Sequence, residues 1–109
     1  MAKRDRHRQL VRREAGKTGK TEVPLPSGSR LDVLTRRGTG KEIELDNDPE
    51  KLRLAVFRLK EAKDKGIARE VILKVAQPNM PDALKVMEEL KVEGTVSNLK
   101  GSKALLVRK

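Results

Sequence analysis

The chain has 109 residues, the size of one compact domain, and a net charge of +10 from 26 Lys or Arg against 16 Asp or Glu. It lacks cysteine and has one histidine, His7. That excludes disulfide frameworks, cysteine-based zinc sites and the usual zinc-hydrolase and Ser-His triad chemistries. Phe57 is the lone aromatic, which excludes RNA-reading sheets that need exposed aromatics and argues against base stacking as the main mode of single-strand binding.

In chain order, residues 4–15 predict a short basic helix with a thin apolar stripe, Leu10 and Val11. Gly16 and Gly19 break it. Residues 21–25 read as a short strand that Pro24 places at an edge or strand end. Pro26-Ser27-Gly28-Ser29 is a turn, residues 30–35 a second strand, Arg36-Arg37-Gly38-Thr39-Gly40 another turn, and residues 41–45 a third strand. Short turns between short strands make an antiparallel meander. The next helix carries the clearest signals. Asp48 is the N-cap, Pro49 suits the first helical position, Leu52, Ala55, Val56, Leu59 and Ala62 recur at spacings of three and four, and Gly66 is the stop. Residues 70–76 are aliphatic and β-branched, as in a buried strand. Residues 81–91 predict a helix with Ala83, Leu84, Met87 and Leu90 on one face. Residues 95–107 read as one or two strands around Lys100-Gly101-Ser102.

The order α-β-β-β-α-β-α-β(β) predicts an α/β (α+β) fold, a mixed central sheet flanked by helices. Residues 1–20 form a basic N-terminal segment with a short helix, and residues 21–109 the α/β core of the same domain. The hydrophobic fraction of 36% is low, but the aliphatic residues cluster in order, so the chain does not read as disordered. Without a signal peptide or long apolar run, it is expected to be soluble and cytoplasmic, with no membrane partner.

Charge is uneven. Residues 1–20 hold eight Lys or Arg against two acids, so +6 of the net charge lies there. Such an excess points to a polyanion, nucleic acid first, with Arg8, Arg12, Arg13, Lys17 and Lys20, and Arg36 and Arg37 in the second turn, as phosphate contacts. A solvated basic tail is the plainer reading. His7, within this segment, is expected to face solvent or the nucleic-acid backbone. Gly16-Lys17-Thr18-Gly19-Lys20-Thr21 imitates the end of a P-loop, but the full pattern needs glycine where Glu14 stands, and no apolar strand precedes it.

Strand alternation gives a second signal. In Lys41-Glu42-Ile43-Glu44-Leu45, Glu42 and Glu44 share one face. Leu31 and Val33 are expected to share the apolar face of the preceding strand, leaving Asp32 on the other beside Glu42 and Glu44. Asp46 would extend the acidic row. Converging carboxylates repel, and a bound cation or raised pKa values relieve the repulsion. With no cysteine and one histidine, the cation would be a hard one held by oxygen. The same pattern also suits an ordinary half-exposed strand with its acids in solvent.

Arg30-Leu31-Asp32-Val33-Leu34, a short turn, Glu42-Ile43-Glu44 and a helix opening Asp48-Pro49 resemble the PD-(D/E)XK nuclease superfamily. The resemblance spans about residues 8–77, over the same α-β-β-β-α-β order. Pro24-Leu25-Pro26-Ser27-Gly28-Ser29-Arg30-Leu31-Asp32 is also similar to compact nuclease toxin domains of that superfamily. The resemblance implies a restriction-endonuclease-like core and an endonuclease using Mg2+ or Mn2+, with DNA expected ahead of RNA. It makes Asp32 the first metal-binding aspartate and Glu42 the acid of the second half-motif. Glu44 stands where the family usually has Lys, although some restriction enzymes of the superfamily carry Glu there. The missing lysine's role then passes to Lys60 or Lys63 on the next helix, or to Lys74 on the next strand. The catalytic set is taken as Asp32, Glu42, Glu44 and Lys60. Glu14 resembles the extra helical carboxylate some members add to the metal site, and Gln77 is assigned a structural or solvent role. A homodimer that cuts two strands and, for a toxin domain, an acidic immunity protein are the implied protein partners. Two other readings compete: a non-catalytic nucleic-acid-binding protein on a degenerate nuclease fold, and a basic protein that docks on an acidic one.

Overall fold

The computed structural model describes residues 2–108. Helix α1 (Lys3–Ala15) is followed by strands β1 (Lys20–Pro24), β2 (Arg30–Leu34) and β3 (Thr39–Glu44), then helix α2 (Pro49–Asp64) and strand β4 (Glu70–Val75). A short 3-10 turn, Gln77–Asn79, leads into helix α3 (Met80–Glu89), and strands β5 (Gly94–Asn98) and β6 (Ala104–Val107) close the chain. The six strands form one mixed sheet in sequence order. The meander β1-β2-β3 is antiparallel, β3-β4 and β4-β5 are parallel, and β6 returns antiparallel to β5. The expected mixed α+β architecture is therefore present. Among the described residues no helix is long and apolar enough to cross a membrane.

Local chemistry explains most boundaries. Gly28 (φ 94°) and Gly38 (φ 93°) sit in the two meander turns, in backbone regions that side chains disfavour. Asp48 caps α2 by accepting from the Glu50 N–H, and Leu52, Ala55, Val56, Leu59 and Ala62 are its buried stripe. The α1–β1 connection is tight because the Gly19 N–H reaches the Ala15 carbonyl at 3.0 Å. A Cβ at Gly19 would lie 2.4 Å from that oxygen.

Two apolar clusters sandwich the sheet. The larger joins α2 and α3 to Leu31, Val71, Leu73, Val75 and Val96. The smaller joins Leu10, Val11 and Ala15 of α1 to Val33 and Ile43. Neighbouring strand residues point to opposite faces. Ile43 meets α1 while Glu42 bonds Arg58 on α2, so the helices cover opposite faces.

Candidate functional site

The site lies where β2 and β3 part. Their paired register is Val33↔Lys41 and Leu34↔Gly40. Next to it, side chains replace the ladder: the Asp32 N–H donates to Glu42 Oε2 at 2.7 Å, and the Ile43 N–H donates to Asp32 Oδ2 at 2.9 Å. Each carboxylate thus satisfies backbone of the other strand. Strand alternation fails at this point. Leu31 packs in the α2 cluster and Val33 in the α1 cluster, so the expectation that they share a face is corrected. On β1, Val23 pairs with Leu31 and Thr21 with Val33, and the intervening Glu22 takes φ 53°, a conformation non-glycine residues rarely adopt. The kink thus crosses two strands at the level of Asp32.

Each helix sends one basic side chain to one carboxylate. From α1, His7 Nε2 lies 3.2 Å from Asp32 Oδ2. From α2, Arg58 donates to Glu42 Oε1 at 3.1 Å. Glu42 is 2% exposed. Burial, then the neighbouring Asp32 charge, push its carboxyl up to about 8, although the Asp32 N–H and Arg58 oppose them. The His7 imidazole is raised by its bond to Asp32, which outweighs the opposing effect of burial.

A cavity of about 450 Å³ opens over these groups. The acids Glu22, Asp32, Glu42 and Glu44 line it together with His7 and the cations Lys3, Arg4, Arg30 and Arg58. Asp32, Glu42 and Glu44 thus line one cavity, and Glu44 also accepts from the Asp46 N–H at 3.0 Å. Asp46 is held by Lys3 and Lys51.

The other sequence candidates lie elsewhere. Glu14 binds Lys41 at 2.9 Å and Lys74 at 3.2 Å, so both it and Lys74 belong to a separate ion cluster under α1. Lys60 bonds Asp64 at 2.7 Å and Lys63 bonds the Glu93 carbonyl at 2.8 Å. Neither borders the cavity. Gln77 accepts from the Asn98 amide at 3.2 Å, a structural role. Arg8, Arg12, Lys17, Lys20, Arg36 and Arg37 are exposed, and Arg13 donates to the Leu99 carbonyl at 2.8 Å. These residues do not line the cavity.

Sequence reasoning missed Arg58 and misread His7, which is half-buried on Asp32 rather than facing solvent. A signal for each was present. His7 precedes Leu10 and Val11 by one helical turn, and Arg58 lies three residues after Ala55 and four before Ala62. Both flank a buried stripe, where a long polar side chain can reach the sheet.

Among the described residues no three acid or histidine side chains converge tightly enough to form a metal cage. Magnesium does not need such a cage, because it commonly takes one or two carboxylates and completes its shell with water and substrate phosphate. Asp32 and Glu42 are the hard oxygen pair that would hold such an ion, in a cavity lined by acids and cations together. Comparisons of this chain with protein-family models, with curated proteins and with solved structures find no match.

Proposed function

We propose that this chain is a metal-dependent endonuclease on a restriction-endonuclease-like αβββαβ core, hydrolysing phosphodiester bonds in nucleic acid, DNA ahead of RNA. One observation carries the reading: Asp32 and Glu42 are wedged together between parting strands, one of them almost wholly buried, in a cavity that Lys3, Arg4 and Arg30 also line. Acid pairs of this kind favour a hard dication, and basic rims favour phosphate. The element order α1-β1-β2-β3-α2-β4 also agrees with that core.

Asp32 and Glu42 would hold a Mg2+ or Mn2+ ion, whose chemistry is to acidify a bound water and neutralise charge on a phosphoryl oxygen. Lys3, Arg4 and Arg30 orient the phosphate backbone over the cavity. Glu44, on the same wall, is the group to accept a proton from the attacking water. His7 fixes the Asp32 carboxylate, and Arg58 is the partner of Glu42 before the ion binds.

The test uses supercoiled plasmid, linear DNA and total RNA with magnesium, manganese or EDTA, beside Asp32→Ala. Metal-dependent cutting that disappears in the variant supports the reading and names the substrate class. A second reading, a non-catalytic nucleic-acid-binding protein, draws on His7 and Arg58 already compensating both carboxylates. Intact substrates with salt-sensitive binding unaffected by Asp32→Ala would favour it and sink the nuclease.

A further inference from the structure

We infer that Arg58 is an internal counter-ion that a divalent cation must displace from Glu42, so that cation and guanidinium occupy the carboxylate alternately. This rests on the metal-dependent reading above.

Glu42 is 2% exposed, so once deprotonated its charge cannot be compensated by water and must be met by the protein or by a bound cation. Both oxygens are engaged. Oε2 accepts the Asp32 N–H at 2.7 Å, a donor fixed by the β2 backbone. Oε1 accepts Arg58 at 3.1 Å, a donor on a long flexible stem. Of the two, only the guanidinium can leave without the sheet moving. A dication approaching Oε1 would meet a cation already there, and like charges on one oxygen repel.

The displaced group also has somewhere to go. Arg58 keeps 35% side-chain exposure. It borders the site cavity and a second groove of about 440 Å³, formed by α2 with the turn holding Ser27 and Ser29. That turn is pinned to α2, because the Ser27 N–H and hydroxyl both donate to Glu61 at 2.6 Å. The groove therefore exists before the guanidinium turns into it. On the other carboxylate His7 is the corresponding partner, yet its ring is carried on a shorter side chain of a helix held by its own apolar cluster. Arg58 is thus the movable member.

Competition at one oxygen is reciprocal: the tighter Arg58 holds Glu42, the weaker the cation binds, and removing Arg58 reverses this. The experiment is calorimetric titration of Mn2+ into the full chain and into Arg58→Met, Arg58→Gln and Asp32→Ala, with circular dichroism as the folding control. Arg58→Gln removes the charge and the reach of the guanidinium but keeps a polar side chain at this partly exposed position, so it covers the case in which Arg58→Met fails to fold. The expected result is Mn2+ affinity raised about five-fold or more in the Arg58 variants and lost in Asp32→Ala. Binding seen only in the Arg58 variants supports the inference equally. Mn2+ bound by the native chain, lost in Asp32→Ala, but unchanged in both Arg58 variants overturns the inference and leaves the cation site standing. If neither the native chain nor the Arg58 variants bind Mn2+, both fail.

Discussion

Glu42 sits between two strands because its side chain does a backbone's work, accepting the Asp32 N–H where the β2–β3 ladder gives out. The cost is electrostatic. Burial, with Asp32 alongside, raises its carboxyl from an ordinary 4.5 to about 8. A carboxyl whose folded value is raised binds its proton more tightly in the native state than in the unfolded chain. Its contribution is fully present below the unfolded value and is lost as pH rises through the folded one. His7, also raised, acts in the same direction over its own range. Stability without metal is therefore expected to fall between about pH 4.5 and about pH 8. Glu42→Gln imitates the protonated side chain, so thermal unfolding in EDTA should show a flatter profile, with the variant more stable than the native chain at about pH 9. Equal slopes in the two proteins would mean that Glu42 is not the titrating group.

At the scale of elements, α1 shows how helices can be held by more than their apolar stripe. Leu10, Val11 and Ala15 are its buried residues, a modest area for thirteen residues. Glu14 adds an ionic fastening, joining α1 to Lys41 on β3 and Lys74 on β4. Burial tends to push the Glu14 carboxyl up, but the two ammonium groups outweigh it and hold it below its ordinary value. Its contribution is present above the unfolded pKa and lost as pH falls through the folded one. Glu14→Gln leaves two ammonium groups, Lys74 buried and Lys41 half-buried, facing a neutral amide. The variant should lose roughly 2–3 kcal/mol in urea unfolding at neutral pH, below the roughly 3–5 kcal/mol of breaking a fully buried pair because the cluster keeps some solvent contact. Mn2+ affinity should not change, because Glu14 is committed to lysines away from Asp32 and Glu42. A weakened Mn2+ site would instead restore Glu14 as a metal ligand.

The elements also mark the limit of what the chain reveals alone. Helix α2 and the meander were legible because caps, turns and periodicity are local signals: Asp48, Pro49, Gly28 and Gly38 act within a few residues. Alternation brought Glu42 and Glu44 to one face of β3, and Asp32 joined them, but for a different reason than alternation. The flip between Leu31 and Val33 answers to packing on two opposite helices, which no local pattern encodes. His7 and Arg58 were hidden for the same reason, since each meets its partner only after α1 and α2 have docked. Lys60 was chosen by position on α2, yet its exposed neighbour Asp64 on the same helix holds it. Two residues nearer the N-terminus, Arg58 reaches the sheet instead.

For the whole molecule, the proposed function raises the question of which part of a +10 surface would meet phosphate. Basic groups gather in two places. Lys3, Arg4, Arg30 and Arg58 rim the cavity. Lys20 lies opposite Leu34, at the end of the meander that leads into the turn carrying Arg36 and Arg37. Long-range attraction draws a polyanion to both, but only contacts that release condensed counter-ions steepen the salt dependence, by about 0.9 in the log–log slope per duplex phosphate contact. If the cavity holds the backbone, Arg4→Ala combined with Arg30→Ala should flatten that slope by about two phosphate contacts' worth, and Arg36→Ala combined with Arg37→Ala by less. Fluorescence anisotropy with a short duplex in EDTA across a salt series measures both without cleavage. A slope altered only by the Arg36 and Arg37 pair would put the nucleic acid across the far end of the meander. Asp32 and Glu42 would then have no phosphate to act on, and the cationic rim would serve only to balance the acids it surrounds.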